Sequence, residues 1–313
     1  MTASAARIAV SLEALLPKPW RHEPSPTELV IFVQESIAKH ALFTSEETRA
    51  KRVPQISVFV AHCAPRRASR EGLELAAEFL FAFFLLNDHW QAMQGLLAGD
   101  ANANSGTRFV RDWLQRVRAS FGHRAERFTR AFDVYLRSLQ HEQRYATGLA
   151  PSFEEYVDKD QGRYQWVATA PYIELWELAL GIELTPSSRM LAEELKRLSV
   201  ELTYIANDIG SLARDEARRN YVTLLAARDG LADLNDALRA TVSVYERKAT
   251  ALAEQRAALA SSDATLARYA QLTCNIADGN LRATTLLAHA GSSGRYSPQV
   301  RDCLAKLPLA SSE

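Results

Sequence analysis

The sequence predicts an all-α protein, and three observations lead to this fold class. The chain has 313 residues but only 13 glycines and 11 prolines, and residues 70–290 contain just three of those prolines. The same stretch is rich in Ala, Leu, Glu and Arg, which favour helices. Apolar residues recur along it at helical spacing, and we find no segment with the two-residue alternation of a strand. These patterns predict one domain of roughly ten helices.

Each predicted helix follows from its own run of apolar positions. In the first, Leu73, Leu80 and Phe84 recur close to helical spacing. The later segments repeat this pattern, and short polar breaks rich in Gly, Ser, Asn and Pro separate them. No break is long enough to be a linker between domains. The predicted helices are 69–97, 106–121, 124–148, 171–183, 187–214, 231–260 and 262–290.

Composition and charge exclude several classes of protein. The chain carries 37 basic and 37 acidic residues without a basic block, which argues against nucleic-acid binding. The longest apolar run, 79–86, is too short to span a bilayer, and the N-terminus makes a poor secretory signal. The three cysteines form no CxxC pattern. We therefore expect a cytoplasmic protein with no nucleic-acid partner and no membrane span.

The strongest chemical signal is the polar run that begins at Asn207. Because a helix advances about 100° per residue, Asn207, Ser211 and Asp215 share one face over two turns. Amide, hydroxyl and carboxylate oxygens are the hard ligands that suit Mg²⁺. Glu216 lies about 100° further round the helix, so we assign the third ligand to Asp215. The run predicts a magnesium site.

This segment resembles the second metal motif of the class I terpene synthases, (N/D)DxxSxxxE, with Asp215 in place of the final Glu. The resemblance implies that Asn207, Ser211 and Asp215 bind one Mg²⁺, and that Arg214 contacts a substrate diphosphate. It also implies the fold of that family, a single-domain helical bundle around a central apolar cavity. Up to three Mg²⁺ ions are expected from the family as a whole.

The segment 87–91 resembles the aspartate-rich DDxxD-type motif of the same family, but in degenerate form. It follows the Phe-rich run 79–86 and begins 120 residues before Asn207, as the family motif does. Asn87 replaces the first Asp and Gln91 replaces the last acid, so Asp88 remains as the predicted metal ligand and catalytic residue. A neutral amide neither neutralises nor bridges metal ions well, so two of the three Mg²⁺ ions are expected to bind weakly.

Three further residues resemble the diphosphate-binding positions of the family. Arg295 and Tyr296 match an Arg-Tyr pair that follows the last helix, where the guanidinium binds diphosphate and the phenol adds a hydroxyl donor. Arg163 matches an arginine that senses diphosphate just before a helix break, at which the carbonyl of Val167 or Ala168 would face the reacting carbon. The resemblance implies substrate contact for all three residues and a catalytic role for Arg163 and Tyr296.

Aromatic side chains are predicted to line the substrate cavity. Phe81 and Phe84 lie seven and four positions before Asp88, on the same helix face, and Trp166 lies close to Arg163. An aromatic face within about 6 Å stabilises a cation by up to roughly 2 kcal/mol when water is excluded. We therefore expect these three side chains to contact the substrate.

Together these features predict a class I terpene synthase or cyclase, with Mg-dependent ionisation of a linear prenyl diphosphate, carbocation cyclisation and loss of diphosphate. The resemblance implies a helical domain over 26–300, a capping segment over 1–25, a tail over 301–313, and a monomer or homodimer. Two alternatives stay open. One is a prenyltransferase like the isoprenyl diphosphate synthases, and the other is a catalytically impaired paralogue that binds an apolar ligand or a protein partner.

Overall fold

A computed structural model gives the structure of the protein. It describes residues 25–43, 45–65, 68–88, 94–96, 98, 104–147, 150–212, 220–261, 263–290 and 298–311. Throughout these ranges the regular structure is helical, without a strand, which confirms the predicted all-α class. None of the described helices has the length and the continuous apolar character needed to cross a membrane.

The chain forms two compact units. The first comprises the described residues of Met1–Leu136 together with Glu174–Gly181. The second comprises Arg137–Ile173 and the described residues of Ile182–Glu313. The predicted metal-binding helix of the Asn207 motif belongs to the second unit, whereas Asp88 belongs to the first.

The first unit is built on a buried aromatic cluster. Phe79, Trp113, Phe128 and Phe132 pack mostly edge to face, with ring centroids 5.6–6.4 Å apart. Edge-to-face pairs place the positive ring edge of one residue against the negative face of the next. The cluster fixes the helix that carries Phe79 beside the helices that carry Trp113, Phe128 and Phe132. The elements are α1 (Pro26–Lys39), α2 (Glu46–Cys63), α3 (Arg70–Asp88), α4 (Ser105–Phe121), a 3-10 turn (Gly122–Ala125) and the start of α5 (Glu126–Thr147).

Helices α1 and α2 lie in the proline-containing part of the chain, where the sequence pattern predicts no helix. Pro26 occupies the first turn of α1, where its missing N–H would have no partner in any case. Ser25 and Glu28 form a capping box at the same end. Pro54 lies inside α2. The prolines start or interrupt these helices without preventing them, because burial of Leu29, Val33 and other apolar residues stabilises both.

The second unit is organised around α9 (Pro186–Ser211), in which most residues of the last four turns are buried. Helix α9 packs against α11 (Leu234–Leu259) and α12 (Ala264–Ala290), and over shorter stretches against α10 (Tyr221–Asp229) and α13 (Pro298–Lys306). Helix α8 (Thr169–Ala179) contributes residues to both units. The elements after α5 are α6 (Phe153–Val157), α7 (Arg163–Trp166), α8 (Thr169–Ala179), α9 (Pro186–Ser211), α10 (Tyr221–Asp229), α11 (Leu234–Leu259), α12 (Ala264–Ala290) and α13 (Pro298–Lys306).

The segment 301–313, predicted as a tail, begins inside α13. Leu304 and Leu307 are buried, and the carboxylate of Asp278 on α12 accepts hydrogen bonds from the backbone N–H groups of Ala310 and Ser311, at 2.7 and 2.8 Å. The described residues of this segment are therefore packed onto the second unit.

Candidate active site

The described part of the motif that begins at Asn207, residues 207–212, lies at the C-terminal end of α9. Asn207 is half-buried and accepts a hydrogen bond on Oδ1 from the Thr284 hydroxyl of α12 at 3.3 Å, while Ser211 is buried. No basic residue lies in this last turn. The backbone carbonyls at the C-terminal end of a helix carry partial negative charge, which favours a nearby cation. Asn207 and Ser211 thus fit part of a site for a hard divalent cation.

Four predicted residues of the diphosphate and metal site lie outside the described residues. They are Arg214, Asp215, Arg295 and Tyr296. Within the described ranges, no group of three or more His, Cys, Asp or Glu residues is placed to hold a metal ion. In the described part of the motif, the candidate metal ligands are therefore the amide oxygen of Asn207 and the hydroxyl oxygen of Ser211.

Asp208, which follows Asn207, is the buried centre of a polar network in the second unit. Its carboxylate is 1% exposed and accepts hydrogen bonds from Arg163, Tyr156 and Tyr221. Oδ1 accepts from Nε and Nη2 of Arg163 at 3.1 and 2.9 Å, and Oδ2 accepts from the Tyr156 hydroxyl at 2.5 Å and the Tyr221 N–H at 3.0 Å. A buried carboxylate is stable only with such partners. Asp208 therefore anchors Arg163 beside the helix turn that carries Asn207.

Asn220 connects the end of α9 to the start of α10. Its amide nitrogen donates to the backbone carbonyl of Asp208 at 2.7 Å. Its Oδ1 accepts from the Val222 N–H at 3.0 Å, which caps α10. One fully buried side chain thus satisfies a carbonyl near the end of one helix and an N–H at the beginning of the next.

Arg163 is positioned by the tight loop that precedes α7. The loop ends at Gly162, whose N–H donates to the Asp158 carbonyl at 2.9 Å. A Cβ atom at Gly162 would lie only 2.5–2.6 Å from the backbone oxygens of Tyr156, Asp158 and Glu155. Only glycine fits this close approach of the chain to itself. The loop therefore fixes the point from which the Arg163 side chain reaches Asp208.

The helix break expected after Arg163 lies between Trp166, where α7 ends, and Thr169, where α8 begins. Ala168 adopts a left-handed conformation with φ of 58°, which is uncommon for a residue with a Cβ. Its carbonyl accepts from the Tyr172 N–H at 3.2 Å. The carbonyl of Val167 has no α-helical donor, because the residue four positions later is Pro171. Sequence and backbone thus both keep α7 and α8 separate.

Burial raises the pKa values of the tyrosines around Asp208. It holds the pKa of Tyr156 well above 10, and the adjacent negative charge of Asp208 adds to this effect. The pKa of Tyr204 is likewise raised well above 10, and that of Tyr221 is raised to about 12, in both cases mainly by burial. These phenols remain protonated at neutral pH, so Tyr156 acts as a hydrogen-bond donor to Asp208.

Trp166, predicted to contact the substrate, packs within the second unit. It is 2% exposed and lies edge to face with Tyr156, with ring centroids 5.7 Å apart. Tyr145 packs on it at 5.8 Å. Trp166 therefore supports the tyrosine that binds Asp208, and its contact with a substrate stays a prediction.

In the first unit, the predicted ligand Asp88 ends α3 and pairs with Arg52 of α2. One guanidinium nitrogen, Nη2, contacts both carboxylate oxygens. The neighbouring Asn87 donates from Nδ2 to the Phe83 carbonyl at 2.9 Å and to the Tyr135 hydroxyl at 3.0 Å. Both described residues of the degenerate motif therefore have partners within the protein.

The two phenylalanines predicted to contact the substrate have different surroundings. Phe81 is completely buried and packs edge to face on Phe109, with centroids 6.0 Å apart. Phe84 is half-buried, and the guanidinium carbon of Arg52 lies 4.2 Å from its ring centroid. Arg52 thus contacts Phe84 and Asp88, which lie four residues apart on one helix face.

Asp208, Tyr156 and Arg52 are not among the residues that the sequence motifs predict for the site. A signal for Asp208 was present, since Tyr204, Ile205 and Leu212 lie three or four positions away on its helix face, and an acid on such an apolar face must be paired. The sequence holds no comparable signal for Arg52, because arginine on an amphipathic helix usually lies in solvent.

Comparison with known proteins identifies the family. The model of the terpene synthase family 2, C-terminal metal-binding, matches residues 74–249, more than half of the chain. The chain belongs to this terpene synthase family. The predicted class I terpene synthase is confirmed, the protein is an enzyme with a metal-binding family domain, and no finding favours the two alternatives. No curated protein matches the sequence.

Solved structures of terpene synthases share the fold at low sequence identity. Hedycaryol synthase in complex with nerolidol is 19% identical, with a TM-score of 0.68 over 85% of this chain and 96% of that chain. Linalool/nerolidol synthase from Streptomyces clavuligerus, in complex with 2-fluorogeranyl diphosphate, is 19% identical, with a TM-score of 0.66 over 83% and 98%. The SVS_A2 protein from ancestral sequence reconstruction is 20% identical, with a TM-score of 0.71 over 93% and 98%.

Proposed function

We propose that this terpene synthase ionises a linear prenyl diphosphate with Mg²⁺ bound at the end of α9, and guides the resulting carbocation to a cyclic product. One observation carries the proposal: the buried carboxylate of Asp208 holds Arg163 beside the helix turn that presents Asn207 and Ser211. A fixed cation and oxygen ligands next to each other are what a leaving diphosphate requires. In support, a linalool/nerolidol synthase of the same fold was solved with 2-fluorogeranyl diphosphate.

The residues at the end of α9 fit Mg²⁺ by their donor chemistry. Asn207 supplies an amide oxygen and Ser211 a hydroxyl, and we propose Asp215 as the third ligand. When bound there, Mg²⁺ would neutralise charge on the leaving diphosphate. Arg163 would bind the diphosphate oxygens from its fixed position, and Arg214, Arg295 and Tyr296 are proposed to add further donors. Phe81, Phe84 and Trp166 are proposed to contact the apolar part of the substrate.

The Val167 carbonyl is proposed to face the developing cation. It has no α-helical donor, whereas the carbonyl of Ala168 accepts a hydrogen bond from Tyr172. A carbonyl oxygen that keeps its lone pairs can stabilise a nearby positive charge. Of the two carbonyls considered at the break, that of Val167 is therefore the better candidate.

The assay that tests the function mixes the purified protein and Mg²⁺ with C10, C15 and C20 prenyl diphosphates, and analyses organic extracts by gas chromatography. Terpene hydrocarbons or alcohols are expected. Longer prenyl diphosphates would instead indicate a prenyltransferase, and no turnover would indicate an impaired paralogue.

Asn207→Ala and Ser211→Ala should each lower turnover by about two orders of magnitude or more, because each removes a proposed metal ligand. Asn275→Ala and Ser243→Ala make the same chemical changes on other helices of the second unit and should leave turnover unchanged. Near-normal rates for the α9 variants would remove both residues from the site.

The cellular location and the assembly stay predictions. We propose the cytoplasm, because Cys63, Cys274 and Cys303 are all free thiols, as expected in a reducing compartment. Monomer and homodimer both remain open, and size-exclusion chromatography with light scattering distinguishes them.

A further inference from the structure

Arg52 is an unusually buried cation at the end of the degenerate aspartate-rich motif. Its side chain is 8% exposed, whereas that of its partner Asp88 is 29% exposed. Among the described residues, Asp88 is the one acid within ion-pair distance of Arg52. A buried guanidinium requires a counter-ion, since an uncompensated charge in the interior is strongly unfavourable. Asp88 satisfies this requirement.

The other contacts of Arg52 fix its position. Nη1 donates to the Gln55 side-chain oxygen at 2.7 Å, one turn further along α2. The guanidinium carbon lies 4.2 Å from the Phe84 ring centroid, a cation–π contact. The cation is therefore held from three sides, by Asp88, Gln55 and Phe84.

The local charge balance does not fit a divalent metal ion at this helix end. Nη2 of Arg52 already contacts both oxygens of Asp88, so a metal ion would have to displace the guanidinium. It would then lie beside a buried positive charge with no other acid in reach among the described residues. Asn87 adds no negative charge, and its amide nitrogen is bonded to Phe83 and Tyr135. Asp88 and Arg52 together carry no net charge.

We propose that Arg52 is a positioning residue that takes the charge-neutralising role of a metal ion at this motif, and that Asp88 is its counter-ion rather than a metal ligand. The proposal rests on the proposed function, because it assigns metal binding to the end of α9 alone. It revises the sequence-based prediction for Asp88. The enzyme would then bind fewer divalent ions than the three expected from an intact pair of motifs.

The test counts bound metal ions directly. Mn²⁺, which electron paramagnetic resonance detects, is titrated into the full-length protein with inorganic pyrophosphate, using wild type, Asp88→Asn, Arg52→Met and the double variant. Asp88→Asn should change Mn²⁺ affinity by less than twofold. Arg52→Met should gain affinity for Mn²⁺, because it removes the competing cation and frees the carboxylate, and the double variant should lose that gain. A purely structural role of Arg52 would not produce a gain that depends on Asp88.

The opposite results are equally clear. A tenfold or greater loss of Mn²⁺ affinity in Asp88→Asn would show that Asp88 is a ligand and would overturn the proposal. Absence of a gain in Arg52→Met would overturn the role assigned to Arg52. Methionine keeps the unbranched stem of the arginine side chain without its charged head and packs well on an aromatic ring. Where circular dichroism shows that the methionine variant misfolds, Arg52→Gln is used instead.

Asn207→Ala separates this proposal from the proposed function. It should weaken Mn²⁺ binding at least tenfold if the end of α9 is the metal site. If Asn207→Ala has no effect, the metal site proposed on α9 is wrong, and the comparison of the Asp88 and Arg52 variants still decides the present proposal.

Discussion

Asp208→Asn should strongly destabilise the second unit, although it alters only one atom of a buried side chain. The substitution leaves the Arg163 cation without its counter-ion, and removal of one partner from a buried pair costs about 3–5 kcal/mol. The side-chain nitrogen of the new asparagine would also face another hydrogen-bond donor, either the backbone N–H of Tyr221 or the guanidinium of Arg163. A buried donor left without an acceptor costs about 1 kcal/mol or more. The Arg163 side chain is 19% exposed, so solvent screens part of its charge, and we take the lower end of the range for the lost ion pair. Adding the cost of the unsatisfied donor gives an expected loss of about 4 kcal/mol in the free energy of unfolding.

This loss corresponds to a measurable change in melting temperature. An unfolding entropy of about 2.1 cal/mol/K per residue gives about 0.7 kcal/mol/K when all 313 residues unfold together, so Tm should then fall by about 6 °C. Circular dichroism in the far and near ultraviolet should be followed together, since two compact units need not unfold in one step.

Two variants control this experiment. Asp229→Asn makes the same change in the exposed pair of Asp229 with Arg228 and should leave Tm unchanged. Arg163→Met combined with Asp208→Asn removes both buried charges and should recover part of the lost stability. A Tm for Asp208→Asn equal to that of Asp229→Asn would refute the assignment of Asp208 as a buried anchor.

Two further predictions concern the same unit. Gly162→Ala should lower stability by about 2 kcal/mol or more and reduce turnover, because its Cβ would meet three backbone oxygens next to Arg163. Gly106→Ala is the control, since the nearest atoms to its added carbon lie at an ordinary contact distance of 3.4 Å, and equal Tm values for the two variants would contradict this expectation. The raised pKa values of Tyr156, Tyr204 and Tyr221 should give stability that is complete below pH 10 and is lost as the pH rises toward 12. Tyrosinate absorbance at 295 nm should then increase together with the loss of ellipticity, and full ionisation of a still-native protein would show that these phenols are accessible.

The sequence was sufficient to predict the long helices, because the spacing of their apolar residues indicates which face of each helix is buried. Predicted helices such as 106–121 and 231–260 agree with Ser105–Phe121 and Leu234–Leu259 to within a few residues. The shared face of Asn207 and Ser211 also follows from helix geometry alone. Such local features depend on neighbours in the chain, which the sequence shows.

The pairing of charged residues could not be predicted in the same way. Arg163 and Asp208 are 45 residues apart and Arg52 and Asp88 are 36 apart, and each pair meets only because separate helices pack together. Nothing in the residues around Arg52 distinguishes it from the solvent-exposed arginines of other amphipathic helices. The prediction of no helix over α1 and α2 was also wrong, because the effect of a proline on a helix depends on its position within the helix.

The unequal burial of Arg52 and Asp88 also sets an order in which substitutions can accumulate. A lineage that lost the acid first would retain a cation enclosed by protein, and selection for a folded chain would oppose that step. A lineage that lost the arginine first would retain a partly hydrated carboxylate, which dissolved divalent ions can reach. If Arg52 takes the place of a metal ion at this motif, as we propose, engineering a metal centre there would begin at position 52 and only afterwards add acids along α3.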